Sequence, residues 1–251
     1  MKKIILVAAI AAAFSANFAH AEDKKPDNEL SFNAALSSDY RFRGISQSRL
    51  QPAISAGADF VNNPTGFYIG TWASSIKWIT DTTNANGTKG NGNIEIDIYG
   101  GKRGEIVKDV SYDVGVLTYI YPSNRLQPSA ATTEIYGQVG YGPAAIKYSH
   151  AVTNAFANPN SKNSGYLEVA ANIDIAEGTQ LNLHAGHQRI RNATVSGISY
   201  TDYKVGVTKD FGIASLSAAI VGTDSNSKAY PSPSNKNLGR TALVVSVSKT
   251  F

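Results

Sequence analysis

The chain has 251 residues and a formal net charge of +4, from 23 Lys and Arg against 19 Asp and Glu. Two of those cations are Lys2 and Lys3 at the extreme start; the rest of the chain carries 21 against 19 with no basic stripe, which argues against a nucleic-acid partner. There is no cysteine, so neither disulfides nor a thiolate zinc site can hold the fold together.

Met1, Lys2 and Lys3 are followed by an apolar run from Ile4 to Phe14, then by Ala19-His20-Ala21, after which charge resumes with Glu22, Asp23, Lys24 and Lys25. A positive start, an apolar stretch and small residues flanking a cleavage point are the order of a secretory signal peptide, predicted here over residues 1–21. The apolar run is shorter than the roughly 20 residues that a spanning helix needs.

From there the pattern has period two. Leu30, Phe32, Ala34, Leu36, Tyr40 and Phe42 share one face, with Ser31, Asn33, Ser37, Asp39, Arg41 and Arg43 on the other. Successive side chains of a strand point to opposite faces, so this is a strand with one apolar and one polar side. The pattern returns at Ile54–Phe60, Ile94–Tyr99, Val110–Val116, Leu167–Asp174, Leu181–His184, Asp202–Thr208 and Leu243–Phe251, and more weakly near 67–78, 132–141, 144–152 and 213–222. About twelve strands result, of the length that crosses a bilayer at a tilt.

Connections alternate long and short. The long ones are 43–52, 79–92, 122–131, 153–165, 190–199 and 223–238; the short ones are 62–66, 103–109, 142–143, 175–178 and 209–212. Short periplasmic turns, long outer loops and an even strand number are the pattern of an outer-membrane barrel, and closure pairs every strand edge. The expected fold is therefore all-β: a transmembrane antiparallel up-and-down barrel over residues 29–251, preceded by a periplasmic segment at 22–28. Phe60, Phe67, Tyr112, Tyr141, Phe211 and Phe251 fall beside short turns, and Tyr40, Phe42, Trp78, Tyr121, Tyr200 and Tyr203 beside long loops, which predicts two aromatic girdles at the lipid–water boundaries. Strand-interior glycines such as Gly57, Gly70, Gly115, Gly137 and Gly206 are expected to relieve crowding.

Three segments carry a family likeness: Ser38-Asp39-Tyr40-Arg41-Phe42-Arg43-Gly44-Ile45-Ser46-Gln47, Gly66-Phe67-Tyr68-Ile69-Gly70-Thr71-Trp72-Ala73-Ser74-Ser75, and Glu95-Ile96-Asp97-Ile98-Tyr99-Gly100-Gly101. Together they resemble the TorF family of porins from Gram-negative bacteria. The resemblance implies the cell outer membrane and a pore-forming role; it carries over no catalytic residue and names no permeant. The terminal Phe251 likewise resembles the C-terminal signal read by the barrel assembly machinery.

If the apolar faces meet lipid, the same parity puts Asp39, Asp59, Glu95, Asp97, Asp113, Glu134, Glu168, Asp174 and Asp202 in the lumen, with Arg41, Arg43, Lys147, Lys204 and Arg240 as its bases. The facing of the 67–78 strand is open, and a lumenal Trp72 would be a candidate constriction. Acids outnumber bases, and acidic rings favour cations. The expected function is passive diffusion of small hydrophilic solutes or ions with weak cation preference, with no cofactor or metal and with outer-membrane lipid and lipopolysaccharide as neighbours. Arg41 and Arg43 are expected near the outer mouth, more as braces for acidic neighbours than as guides for anions. A lumen closed by an inward loop is compatible with the same pattern. Two other readings are a phospholipase-like enzyme using His150 or His187 on the lipid side, and a non-conducting barrel that displays its loops. His184 and His187, three apart, face opposite ways on a strand and cannot share a metal.

Overall fold

The computed structural model describes residues 26–251 apart from Thr194, Ser227 and Pro231. The expected signal peptide and most of the 22–28 segment therefore lie outside the described residues. In chain order the elements are β1 (Asn28–Ser37), a small hairpin of β2 (Arg41–Phe42) and β3 (Ile45–Ser46), β4 (Ala53–Asn62), β5 (Phe67–Ser75), the single-turn α1 (Trp78–Asp81), β6 (Ile94–Val107), β7 (Val110–Ile120), β8 (Thr132–Tyr141), β9 (Ala144–Ala151), β10 (Gly165–Ala176), β11 (Thr179–Arg189), β12 (Tyr200–Asp210), β13 (Ser215–Thr223) and β14 (Ala242–Thr250). All but β2, β3 and α1 form one closed antiparallel barrel of twelve strands in which each strand pairs with its neighbours in sequence and β1 closes against β14.

Exposure follows the alternation. Leu30, Ile54, Ile69, Ile98, Val116, Val139, Ile146, Val169, Val205, Leu216 and Leu243 are all exposed on the outside of the barrel. A band of large apolar side chains around a closed sheet is stable only against an apolar solvent, so this surface fits lipid. No described helix is long and apolar enough to cross a membrane.

The barrel seam is short. β14 pairs only with Asn33–Ser37 of β1, and Phe251 adds the last two main-chain bonds, exchanging N–H and C=O with Phe32. Lengths at the short-turn end differ most from the sequence expectation at one place. The 103–109 segment continues as strand on both sides, β6 to Val107 and β7 from Val110, around a Lys108-Asp109 turn with Asp109 at φ +66°. A bulge between Glu105 and Val107 absorbs the irregularity that looked like a loop in sequence.

Glycines inside strands seat inward tyrosines. Added Cβ atoms at Gly70, Gly101 and Gly115 would come within 2.5–2.7 Å of Tyr99, Tyr68 and Tyr136 respectively, each the residue's direct partner or neighbour across the sheet. The rings lie flat along the wall over these gaps, which protects the glycines and keeps the rings from standing across the lumen.

Candidate functional site

The first long connection starts earlier than the expected 43–52, because β1 ends at Ser37; it runs over 38–52 and does not project outward. It turns back into the barrel and fills the lumen at the long-loop end. The turn between β2 and β3 has two residues, Arg43 at φ +46° and Gly44 at φ +78°, the conformation that twists a tight hairpin correctly. Gly44 is required there twice over: a Cβ would lie 2.5 Å from Thr223 Cγ2 and 2.8 Å from Asp202 Cβ, on the barrel wall.

Asp39 organises the hairpin from within. It accepts hydrogen bonds from Arg41 Nε at 2.6 Å, Ser46 Oγ at 2.5 Å and Ser48 Oγ at 3.0 Å. Arg41 also donates to the Gly44 and Arg240 carbonyls, each at 2.9 Å. Main-chain bonds from Ser38 to Val245, Ser46 to Leu238 and Lys77 to Gln47 tie the segment to the rim, and Arg49 pairs with Asp81 of α1.

Arg43 is the member that crosses the lumen. Its guanidinium donates two bonds to Glu134 of β8, at 3.0 and 2.7 Å, and one to Gln188 of β11 at 2.6 Å. It also lies 4.1 Å over the Tyr166 ring and 4.7 Å over Phe42. Burial alone would lower its pKa, but Glu134 beside it more than offsets this and raises it. Tyr40 reaches the opposite wall, packing edge-on against Trp72 at 5.2 Å and donating to Glu95 at 2.6 Å. Burial, then the charges of Glu95 and Asp97, raise the Tyr40 pKa and keep its hydroxyl a donor.

The apolar core of the molecule sits here too. Ile76, Ile79, Leu117, Tyr119, Tyr121, Leu126 and Ala130 form one buried cluster, with Tyr40, Phe42 and Trp78 packed on it. This corrects the expected outer girdle. Of its six rings, Tyr203 alone is exposed, while Tyr121 and Tyr200 are buried and Tyr40, Phe42 and Trp78 pack inward. The rings that period-two counting assigned to lipid are the packing of an inward-turned loop. At the short-turn end Phe60, Phe67, Tyr141, Phe211 and Phe251 are exposed as a girdle requires, and Tyr112 is half-buried.

The candidate lumen residues fall at two levels. Asp39, Arg41, Arg43, Trp72, Glu95, Asp97, Glu134, Glu168 and Asp202 surround or form the plug, Trp72 facing inward at 7% exposure and Asp97 at 0%. The Asp97 carboxylate has no hydrogen-bond partner among the described residues. Asp59, Asp113 and Lys147 lie towards the short-turn end and are partly exposed, while Lys204 sits at mid-strand, one inward step below Asp202 and across from His184. Asp59 accepts from Tyr99 at 2.6 Å, Asp113 accepts from Tyr68 at 2.6 Å, and Lys147 lies 4.3 Å over the Tyr136 ring. Asp174 is exposed at the rim, where Gln180 donates to it. Arg240 departs from expectation: it is exposed in the connection before β14, and it is its backbone carbonyl that meets Arg41. The parity had been carried past the start of the strand at Ala242.

Sequence reasoning passed over several inward groups. Arg103, 5.2 Å over Tyr68, was hidden in a segment read as a loop. Tyr136 and Tyr166 share parity with Glu134 and Glu168, which the sequence singles out, whereas Tyr68, whose hydroxyl meets that of Tyr136, lies on the strand whose facing the sequence leaves open. His184 lies between Asp202, at 2.8 Å, and Glu168, at 3.4 Å, with the Tyr166 hydroxyl at 2.9 Å. The outward histidines bond elsewhere, His150 to Asn163 and His187 to Thr201. Among the described residues no group of three or more His, Asp or Glu side chains is placed to hold a metal ion.

These features define a class: a closed twelve-stranded antiparallel barrel with a lipid-fitted exterior and a polar interior, folded as porins are. The chain belongs to the Gcw_chp family, described as a bacterial protein of unknown function, whose profile matches residues 21–251. No curated protein matches it in sequence. Among solved structures it is similar to the KdgM porin, with a TM-score of 0.56 at 6% identity over 88% of this chain and 98% of that one. It is also similar to a protein from work on in-meso crystallization of membrane proteins, with a TM-score of 0.51 at 7% identity over 88% and 83%. LpxR from Salmonella typhimurium is more distant, with a TM-score of 0.38 at 10% identity over 88% and 99%. The likenesses to the first two establish the fold.

Proposed function

We propose that this protein is an outer-membrane channel for passive diffusion of small hydrophilic solutes or ions, with the long loops outside and the 38–52 hairpin as an internal plug. The observation that carries the reading is the polar lumen below the plug. A barrel built only to display loops has no need of partly exposed acids, bases, tyrosines and amides along its inner wall. The likeness of the plug segment to the TorF porin family points the same way, as does the porin fold of the neighbours. We assign no catalytic role. Phe251, which completes the seam, is the natural contact for the barrel assembly machinery.

Weak cation preference belongs to the same proposal. Glu95, Asp97 and Glu134 line the plug seat, where Arg43 is the cation in contact, so the excess of acid lies there; in the vestibule below, Asp59 and Asp113 share the wall with Lys147 and Arg103. Acidic linings of this kind raise the local concentration of cations. A second reading follows from the seated plug, which fills the outer lumen: a permanently closed barrel. Planar-bilayer conductance of the refolded chain under a salt gradient decides between them. Discrete steps with a cation-sign reversal potential support the channel. Silence from protein shown to be inserted, with Arg43→Met silent as well, would leave the closed barrel.

A further inference from the structure

The long-loop end carries a charged patch that the lumen does not use. Lys162 lies between β9 and β10, Arg189 ends β11 and Arg191 follows it; all three are exposed. Strand register gathers them. Gly165 pairs with His150 on one side and with Arg189 on the other. The Arg191 amide donates to Ser164 Oγ at 2.9 Å and the Asn192 side chain to the Asn160 carbonyl at 2.8 Å, so the 160–164 segment lies against 189–192. Among the described residues none of the three cations has an acidic partner. The acids of the adjoining strands, Glu168 and Asp202, are buried on the lumen side, and the exposed Asp224 at the edge of this face is taken up by the Thr201 amide, which donates to it at 2.7 Å.

The same outward face continues downward in register. One level below come Tyr148, Leu167 and His187, and below them Ile146, Val169 and Ala185. Tyr148 and Leu167 are 49% and 47% exposed. Read from the belt to the rim, the surface is aliphatic, then aromatic, then cationic. A lipid presents the complementary order, with acyl chains, interface and phosphate. Two guanidinium forks and an ammonium without carboxylates match phosphate oxygens in charge and geometry.

We propose that this face is a docking site for the phosphate-bearing headgroup of an anionic lipid, with Lys162, Arg189 and Arg191 on the phosphates and the chains along Leu167 and Val169. The proposal rests on the apolar belt facing lipid, and not on the lumen conducting.

The test is native mass spectrometry of the refolded full chain in detergent. The probes are diphosphorylated lipid A, its dephosphorylated form with the same acyl chains, and inorganic phosphate. The triple variant Lys162→Gln/Arg189→Gln/Arg191→Gln is expected to bind diphosphorylated lipid A on the order of 100-fold more weakly, at about a factor of five per cation. Lys89→Gln/Arg125→Gln, which removes two exposed cations from other loops, is expected to bind as the parent does. Equal binding by the triple variant and the parent overturns the proposal, as does equal binding of the dephosphorylated lipid. Displacement of the lipid by inorganic phosphate at matched phosphate concentration assigns the patch to soluble anions and also overturns it. Retained heat-modifiable mobility on gels shows that each variant is a closed barrel. A barrel without conductance that passes these tests would separate this inference from the channel proposal.

Discussion

The two halves of the lumen are made from the same strands with the same alternation, yet they are in different physical states. In the long-loop half Glu95 and Glu134 are sealed under the 38–52 hairpin and bonded to it, and Tyr166 and Asp202 are buried beside them and bonded to each other along the wall. In the short-turn half Asp59, Tyr68, Tyr99, Asp113 and Lys147 stay partly exposed and bond mostly along the wall. What separates the halves is one inserted segment. It replaces water around the acids with two arginines, a tyrosine and apolar rings. Charge there is costly unless paired, whereas charge in the lower half keeps its solvent. Substitutions should therefore have large effects on structure above and small effects below, with the order reversed for ion selectivity.

Breaking the pair between Arg43 and Glu134 should have the largest effect. Arg43→Met leaves the Glu134 carboxylate buried beside Tyr119 without its cation, a change that typically costs about 3–5 kcal/mol. The hairpin should unseat. Hydrogen exchange of the 38–52 amides should accelerate, and conductance steps should become larger or more frequent. The double variant Arg43→Met/Glu134→Leu removes both charges and should regain most of the loss, because apolar replacement of a buried pair is often neutral. If exchange in Arg43→Met matches the parent, the ion pair does not hold the plug. Tyr40→Phe is the next test. It removes the 2.6 Å bond to Glu95 and leaves the packing on Trp72, for a loss of about 1.5–3 kcal/mol. Urea unfolding in lipid vesicles would register it as a lower midpoint with an unchanged slope.

The division between the halves also marks what could be read from sequence. Period two is a property of the strand itself, so the twelve strands and the inward facing of residues such as Asp97 and Lys204 were visible in the residue order. The course of 38–52 was not. Tyr40 and Phe42 continue the apolar parity of β1 without a break, and nothing local distinguishes a ring that meets lipid from one that folds under a loop. That decision is made by Glu134, Gln188 and Leu238, far along the chain, which offer Arg43 and the β3 backbone their partners. Trp72 was ambiguous for a related reason. β5 carries Ile69 and Thr71 outward against Tyr68, Gly70, Trp72 and Ser74 inward, so its apolar residues are divided between the two sides. Gly44 could have signalled a tight turn, since a glycine in the second position of a two-residue hairpin accepts positive φ, but a tight turn alone does not say which way the hairpin folds.

At the rim, Arg49→Gln should do little. Its partner Asp81 is on α1, and Arg49 keeps a third of its side chain exposed, so the loss should stay within about 1 kcal/mol.

Asp113→Asn gives the smallest structural effect and tests the lower half directly. The Tyr68 hydroxyl can still donate to the amide oxygen, so the 2.6 Å contact has a replacement and unfolding should move by no more than about 0.5 kcal/mol. The charge is nevertheless gone from a wall where Lys147 and Arg103 remain. In a plug-released background the reversal potential under a salt gradient should shift toward anions, while the number and lifetime of the steps stay as they were. A shift without destabilisation would show that the vestibule acts on ions through its field rather than through its shape. Destabilisation comparable to that of Arg43→Met would mean that Asp113 is as closely packed as the plug seat, and the contrast between the two halves would fail.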